Sequence, residues 1–238
     1  FGGPDAAHPS FTPVQKAISY SMTSFFTTGG IRGGKKKLDK FYPRSFNMGI
    51  RRDVYQQLEG FSAMRFGEDI DFSIRIFKGG YRCRLFPEAW VWHKRRTDFR
   101  KFFRQVYNSG IARINLYKKY PESLKLVHLL PMVFTVGVLF LLLLFIVGIV
   151  LGATVLRHCN QPFAGMICGV ALLPLVLYSL IIFVDASRQY NSLWIGLLSI
   201  RAAFTQLMGY GFGFIEAWWK RCVRGKSEFS AFEKTFYK

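Results

Sequence analysis

Two long apolar stretches dominate the second half of the chain. No charged side chain occurs from Leu126 to Leu156 or from His158 to Val184. A helix of about 20 apolar residues crosses the hydrocarbon core of a bilayer, and each stretch exceeds that length. We therefore predict two transmembrane helices within residues 126–186, roughly 127–150 and 164–184, joined by a short loop.

A third apolar segment, residues 193–217, is less uniform. Charged, amide and glycine residues interrupt it: Arg201, Gln206, Gly209, Gly211, Gly213 and Glu216. The segment is long enough to cross if Arg201 pairs with Asp185 or Glu216, but an arginine near mid-bilayer costs about 2.5 kcal/mol or more. Basic residues flank the apolar region on both sides, and such flanks stay cytoplasmic. We therefore expect two crossings, with residues 193–238 forming an interfacial or re-entrant helix and a basic tail, although a third span remains open.

The first 96 residues mix helical and strand patterns. Thr12 and Pro13 fit the cap and first position of a helix. Helical periodicity also marks residues 53–58 and the segment between Gly67 and Gly80. Short strands are indicated at residues 46–50, 81–85 and 89–93. Residues 1–96 are thus predicted to form an α/β domain, followed by an α-helical membrane region.

A long amphipathic helix is predicted over residues 97–120, with Thr97 as its cap. Its apolar stripe is rich in aromatic side chains, and Arg100 and Arg104 lie off that stripe. A basic, aromatic helix just before a membrane span usually lies in the interface plane. The alternative is a helix whose stripe packs on its own domain.

The charge balance points to an anionic partner. The chain has 33 Lys and Arg against 14 Asp and Glu, a formal net charge of +19, and its 17% aromatic content excludes a disordered chain. Cations crowd between Lys94 and Lys125, beside the first apolar stretch, where such clusters bind anionic lipid headgroups. Because no nucleic-acid motif is recognisable beside the predicted spans, we expect lipid headgroups and not nucleic acid. The glycine-rich basic segment 27–37 is either a solvated loop or a cationic flap near a phosphorylated substrate.

Three carboxylates cluster where the helix after Gly67 begins: Glu68, Asp69 and Asp71. Arg75 lies one turn after Asp71 and offers an ion pair, which leaves Glu68 and Asp69 with no cation nearby in sequence. A carboxylate so placed can act as a general base toward a hydroxyl, whereas acids at a helix N-terminus also serve stability alone. His93, at the end of a predicted strand, is likewise open to a structural role or to contact with a phosphate or metal.

The order and spacing of several short motifs resemble family 2 glycosyltransferases. They run as N-x-G-I-R-R, Glu-Gly-Phe, G-E-D-I-D-F-S-I-R, Gly-Gly-Tyr-Arg, Pro-Glu and Val-Trp-His, at residues 47–52, 59–61, 67–75, 79–82, 87–88 and 91–93. The opening Phe-Gly-Gly-Pro is similar to the stretch after the family's central metal-binding strand. The resemblance covers about residues 1–115 and implies a GT-A fold, of which this chain holds the acceptor-side half.

The resemblance also implies roles for the candidate site residues. Asp69 is expected to be the catalytic base, Glu68 to help hold the acceptor, and His93 to lie near the donor diphosphate or a metal ion. Arg95 and Arg96 would add cationic surroundings for the departing diphosphate. Three further residues are expected to support the site structurally: Asn47, Asp71 and Arg75.

The helix over residues 97–120 stands where processive members carry a Q-x-x-R-W motif. Arg100, Arg104 and Gln105 are therefore expected on the acceptor side. The chain departs from the motif, because Asn108 stands where the family has Arg and no Trp follows. Synthase-like processivity is accordingly not implied.

The implied reaction is an inverting sugar transfer from a nucleotide sugar to a hydroxyl of a membrane-associated glycan or lipid, as in the synthesis of surface polysaccharide or glycolipid. The family's divalent metal, Mg²⁺ or Mn²⁺, is expected as cofactor. Its D-x-D ligands and the nucleotide-binding strand are not in this chain, and only His93 is a possible metal contact. Since the chain begins at Phe1 without Met, we expect the N-terminal half to be missing and the chain alone to be inactive.

We expect an integral membrane protein whose catalytic part is cytoplasmic, as at a bacterial inner membrane. A different class remains open: a non-enzymatic membrane protein with a basic cytoplasmic domain that binds lipid or a partner. Residues 1–125 contain 24 basic and 10 acidic residues. The pair Glu68 and Asp69 favours an enzyme over a non-enzymatic membrane anchor, because an anchor has no need of unpaired acidic residues in so basic a region.

Overall fold

The computed structural model describes residues 1–29, 41–154 and 162–227, and these form a mainly helical chain with one small sheet. The strands are β1 (Asp5–Ala6) and β2 (Val91–Trp92). The helices of the polar half are α1 (Pro13–Thr23), α2 (Phe25–Thr28), α3 (Arg52–Gln57), α4 (Glu68–Lys78) and α5 (Phe99–Lys119). The apolar half contains α6 (Leu130–Thr154), α7 (Pro162–Tyr190) and α8 (Leu193–Trp218), followed by a π-helical turn, Trp219–Val223.

The sheet is smaller than the sequence pattern predicts. Strands β1 and β2 run parallel, with Asp5 opposite Val91 and Ala6 opposite Trp92. The strands predicted at 46–50 and 81–85 do not form, since residues 45–47 make a 3-10 turn and only Met48 and Leu85 form single bridges, both to Gly2. Alternation of apolar and polar residues identifies extended backbone, but a strand also needs a neighbouring strand along its whole length. Among the described residues, the segments that could pair with residues 46–50 and 81–85 are too short to complete a sheet.

Local signals predicted the helices of the polar half well. Thr12 caps α1 through a capping box with Gln15. Helix α4 begins directly after Gly67, whose φ of 84° is accessible to glycine and strained for most other residues. The loop predicted at 27–37 begins inside α2, and its residues 30–37 lie outside the described part of the chain.

The cap of helix α5 lies one residue later than predicted. It is Asp98 and not Thr97, because the Asp98 carboxylate accepts the Lys101 backbone N–H at 2.8 Å. Most of the apolar stripe is buried inside the protein, with Phe102 and Val106 against α1 and Ile114 against α8, whereas Phe103 is 37% exposed. The buried part of the stripe is therefore not free to face lipid: it packs partly on its own domain, through α1, and partly on α8.

Helices α6 and α7 form the predicted apolar hairpin. They are the two helices in the described residues that are long and apolar enough to cross a membrane. Their antiparallel contact runs from the rings of Phe134 and Tyr178, 5.2 Å apart, to Gly148, where an added Cβ would lie 2.7 Å from the Cys168 sulfur. Most side chains beyond this contact expose apolar surface. The hairpin thus presents the surface that a bilayer would cover.

Helix α8 joins the hairpin to the polar half through close glycine contacts. A Cβ at Gly213 would clash with the Tyr107 backbone, and one at Gly110 would clash with the backbone of Tyr210. On another side, a Cβ at Gly211 would clash with Thr135 of α6. Glycines let helix backbones approach closely, so those that interrupt the apolar pattern of α8 mark its packing against α5 and α6.

Helix α8 packs against both helices of the hairpin. Gly196 faces Ser187 of α7, and fifteen residues later Gly211 faces Thr135 of α6. Between these contacts the Phe204 ring lies 5.6 Å from that of Phe134 and 5.7 Å from that of Tyr178. Helix α8 is therefore in contact with the hairpin over much of its length.

The ion pairs considered for Arg201 do not form within the described residues. Its guanidinium lies 4.6 Å from the centre of the Phe99 ring at the start of α5. Asp185 instead accepts a hydrogen bond from Tyr20 at 2.6 Å, and Glu216 accepts from Tyr107 and Lys220. The sequence suggested Asp185 and Glu216 as acidic partners for Arg201, but tertiary packing gave all three residues other partners.

Candidate active site

The first turn of α4 holds Asp69 in a fixed position. Its side chain is 12% exposed, and Oδ1 accepts the Ile70 backbone N–H at 2.8 Å. Oδ2 lies 3.4 Å from the Arg44 guanidinium. Asp69 has no cation nearby in sequence, but in space Arg44 reaches it from 25 residues earlier in the chain. A carboxylate held by one backbone bond and one partly exposed cation keeps oxygen lone pairs for a substrate.

The surroundings of Glu68 favour the protonated form of its carboxyl group. Burial raises the pKa of Glu68, and the charge of Asp69 raises it further against opposing backbone hydrogen bonds. The side chain is half-buried on the same helical turn. A carboxyl group that retains its proton more readily is able to donate a hydrogen bond to an acceptor oxygen as well as accept one.

Asp71 is the centre of a buried ion-pair network. It is fully buried and accepts four hydrogen bonds, at 2.7 to 3.0 Å: Arg75 Nε, Ser62 Oγ, Lys119 Nζ and Tyr120 OH. Burial alone would raise the pKa of Asp71, but hydrogen bonds from Lys119 and Ser62, and the charge of Lys119, outweigh it and lower that pKa. The network ties α4 to the end of α5.

Arg75 extends this network to the end of α3. It donates to the carbonyl oxygens of Leu58 and Gly60 in addition to Asp71. The structure thus contains the ion pair between Asp71 and Arg75 at 3.0 Å that the i,i+4 spacing suggested. The planar guanidinium group of arginine carries several N–H donors, which suits a side chain that bonds to Asp71 and to two carbonyl oxygens at once.

A second polar group forms where the two parallel strands end. The Nδ1 atom of His93 lies 3.4 Å from Oδ2 of Asp5, and Arg95 donates to the same carboxylate oxygen. Burial, followed by the charge of Arg95, lowers the pKa of His93, and Asp5 only partly opposes this. His93 is therefore mainly neutral at neutral pH, with its Nδ1 side turned to Asp5.

The structure separates the two arginines expected near the diphosphate. The Arg95 side chain is 3% exposed and is paired with Asp5, and its Nε atom lies 3.4 Å from Ser19 Oγ. Arg95 therefore supports the site from the protein interior. Arg96 is exposed and donates from Nε to Gln105 at 3.1 Å. An exposed cation remains accessible to an anion, whereas a buried, paired one does not.

Residues 44–47 connect the Asp69 turn to the His93 group. Arg44 contacts Asp69, the Phe46 ring lies 4.0 Å from the His93 ring, and Asn47 donates to the Ala89 carbonyl at 2.7 Å. Arg44 and Phe46 are two residues apart, so their Cα atoms are separated by at most about 7 Å. Residues 44–47 therefore link the two groups through one short stretch of backbone.

Sequence reasoning identified Asn47 in this connecting segment but missed Arg44 and Phe46, as it missed Asp5. The only available signal was that Arg44 and Phe46 immediately precede a recognised motif. Arg100 and Arg104 are exposed on α5. No hydrogen bond or ion pair in the described part of the chain joins them to Glu68, Asp69 or His93.

The described residues do not make a complete metal site. No group of three or more His, Cys, Asp and Glu side chains is placed to hold an ion among them. His93 and Asp5 offer two donors, and Asp5 is already engaged by Arg95. Divalent ions such as Mg²⁺ take up to six oxygen ligands. His93 and Asp5 alone therefore do not fit such an ion.

Comparison with known proteins agrees with this arrangement. A family model described as glycosyl transferase family group 2 matches residues 45–215. A probable glycosyltransferase of Bacillus subtilis (strain 168), YdaM, is 32% identical over 59 residues, which span 25% of this chain and only 14% of that protein's length. No solved structure matches the chain significantly. Because the family model covers well over half of the 238 residues, this protein belongs to glycosyl transferase family group 2.

Proposed function

We propose that this chain is the acceptor-side half of a GT-A domain with its membrane region, in an inverting glycosyltransferase. The observation that carries the proposal is Asp69, held in the first turn of α4 and linked through residues 44–47 to the His93 group, in a member of a glycosyl transferase family. The small parallel sheet between β1 and β2 is consistent with one edge of an α/β domain. The nucleotide-binding half would be supplied by chain outside this sequence.

In the proposed reaction Asp69 acts as general base. It accepts the proton of the acceptor hydroxyl as that oxygen attacks the anomeric carbon of the donor sugar, and the bond from that carbon to the diphosphate breaks. Attack opposite the leaving group inverts the anomeric configuration. Glu68 would hold the acceptor by hydrogen bonding, and the released diphosphate carries away the electron pair of the broken bond.

The departing diphosphate requires donors and cations. We assign this role to the exposed Arg96 and place His93 beside the diphosphate, with Arg95 as the residue that positions Asp5 and, through it, the His93 ring. Preorganised donors aimed at developing charge stabilise the transition state. The family generally uses nucleotide-sugar donors and often a divalent metal, and we expect the ligands of such a metal to come mainly from outside the described residues.

The acceptor is proposed to be a glycan or lipid held at the membrane. The two apolar helices, α6 and α7, support an integral membrane protein, and the exposed cations of α5 support contact with anionic headgroups. Surface polysaccharide or glycolipid synthesis at a bacterial inner membrane, with the catalytic part in the cytoplasm, fits such an arrangement.

A panel of nucleotide sugars tests the function directly. We expect the protein expressed from its complete reading frame, in membranes or detergent, to release nucleoside diphosphate from one donor and to transfer the sugar when a membrane extract supplies acceptor. Diphosphate release and sugar incorporation should rise together. If no donor is consumed while the folded protein still binds anionic vesicles, the non-enzymatic alternative is correct.

The topology proposal predicts where the C-terminus lies. A fluorescent reporter fused after Lys238 should be active in the cytoplasm, because two crossings return the chain to its starting side and the flanks are basic. Arg201 in α8 supports two crossings, because an arginine near mid-bilayer is costly. As control, alkaline phosphatase fused after Asn160, between α6 and α7, should be active in the periplasm. Phosphatase activity from a fusion after Lys238 would mean three crossings.

A further inference from the structure

An open groove runs along the face of α8 that is turned away from its glycine contacts. It has a volume of about 600 Å³ and is lined by residues of α8 together with Phe103 of α5, among them Leu197, Phe204, Met208 and Phe212. Apart from Arg201 and Thr205, the lining side chains are apolar. An apolar groove with one cation suits a ligand that is mainly hydrocarbon and carries an anionic end.

The cation lies at a defined place in this groove. The Arg201 guanidinium is held over the Phe99 ring at 4.6 Å, which orients it while leaving it exposed. Arg100 precedes Phe103 by three residues on α5, and residues at that spacing share a helix face. Arg201 is thus the exposed cation in the groove lining, and Arg100 is a second exposed arginine one helical turn before Phe103.

The groove lies beside the membrane hairpin. Phe204, which lines it, packs its ring against Phe134 of α6 and Tyr178 of α7 at 5.6 and 5.7 Å. Leu193 and Trp194, at the start of α8, are 71% and 59% exposed. Exposed tryptophan and leucine next to a hairpin of this kind are typical of the headgroup region of a bilayer. A ligand in the groove would thus be supplied from the membrane.

We propose that this groove binds one hydrocarbon chain of a phosphate-headed lipid, with Arg201 and Arg100 contacting the phosphate. The apolar lining gives the chain a dry surface, and the paired arginines match the charge of the headgroup. The proposal depends on the proposed function only in placing α6 and α7 in a membrane.

The test measures lipid retained by the protein from its complete reading frame, purified in detergent and analysed by native mass spectrometry. Mixed micelles would contain phosphatidylglycerol and phosphatidylcholine with identical chains. We expect wild-type protein to retain phosphatidylglycerol preferentially. Arg201→Gln should reduce that preference about fivefold, the effect of about 1 kcal/mol for one arginine at a lipid phosphate.

Two further variants separate this site from general surface charge. Arg224→Gln removes an exposed cation that stacks on Trp219, outside the groove lining, and should leave the preference unchanged. Thr205→Trp fills the groove and should reduce retention of both lipids.

Added inorganic phosphate should not displace the lipid, because phosphate lacks the hydrocarbon chain. Displacement would show that the groove holds an ion site only and would overturn the proposal.

Other outcomes also overturn it. Equal losses in the variants at Arg201 and Arg224 would mean diffuse attraction, and a lipid-free dimer that Thr205→Trp converts to monomer would mean that a second copy fills the groove. Since lipid retention is read without any sugar transfer, a negative result here leaves the glycosyltransferase proposal standing. Conversely, an inactive enzyme with intact lipid preference would overturn only that proposal.

Discussion

Replacing Asp69 by Asn is expected to lower the rate of sugar transfer by about 10²–10⁴-fold, the usual contribution of a general base. The amide has the shape of the carboxylate but does not take up the acceptor proton. Folding should change little, because the lost ion pair joins Asp69 to an Arg44 side chain that is 35% exposed, and partly exposed pairs contribute about 1 kcal/mol or less. The measurements are kcat and KM for the donor, together with the thermal midpoint.

The matched control is Asp53→Asn. Asp53 also lies in the first turn of a helix, α3, and is also paired with an arginine, Arg51, but it is exposed and has no contact with the His93 group in the described structure. It should keep normal turnover. Near-normal turnover of the Asp69 variant would refute the assignment of the base, and equal losses in both variants would indicate a general effect of charge.

The second large effect is expected at Asp71. Replacing it by Ala should lower the free energy of unfolding by about 3–5 kcal/mol, as is typical when one partner of a buried ion pair is removed. The reason is that Arg75, Lys119 and Tyr120 all lose a shared acceptor. Because Lys119 is 45% exposed and regains water, the loss should lie near the lower end of that range. Asp53→Ala, at an exposed position, serves as the control and should alter stability little.

The pH dependence of stability tests the same network. The folded pKa of Asp71 is lowered, so its contribution is fully present above the unfolded pKa of about 3.9. It is lost as the pH falls through the lower folded value. Thermal midpoints of wild type and Asp71→Asn should therefore differ most at neutral pH and converge in acid. A constant difference between the two proteins down to the lowest pH would mean that the carboxylate charge is not what stabilises this site.

Activity and stability should separate between these two carboxylates, which are only two residues apart. Asp69 has one partly exposed partner, while Asp71 has four donors around a fully buried carboxylate. An Asp69 variant that unfolds, or an Asp71 variant that folds normally without activity, would exchange the roles assigned to them. Activity of the Asp71 variant, where it remains folded, should fall through misplacement of α4 and be recovered in part at lower temperature.

What the sequence by itself determined about this protein is local. Uncharged stretches marked the two helices α6 and α7, since a 20-residue apolar run has few other uses. Caps and periodicity marked α1, α3 and α4, because a helix is built from contacts between residues three and four apart. The same spacing was sufficient to propose the ion pair between Asp71 and Arg75, and the motif around Asp69 was sufficient to propose a base.

Tertiary structure decided every feature that joins distant parts of the chain. It brought Arg44 to Asp69 and Lys119 to Asp71, buried Arg95 against Asp5, and turned the stripe of α5 toward α1 and α8. Of the three predicted strands, only the one at residues 89–93 forms, as the two-residue strand β2 paired with β1. The reason is that a strand is completed by a neighbouring strand that its own residues do not specify. Such partners lie tens of residues apart, and their pairing depends on how whole elements pack.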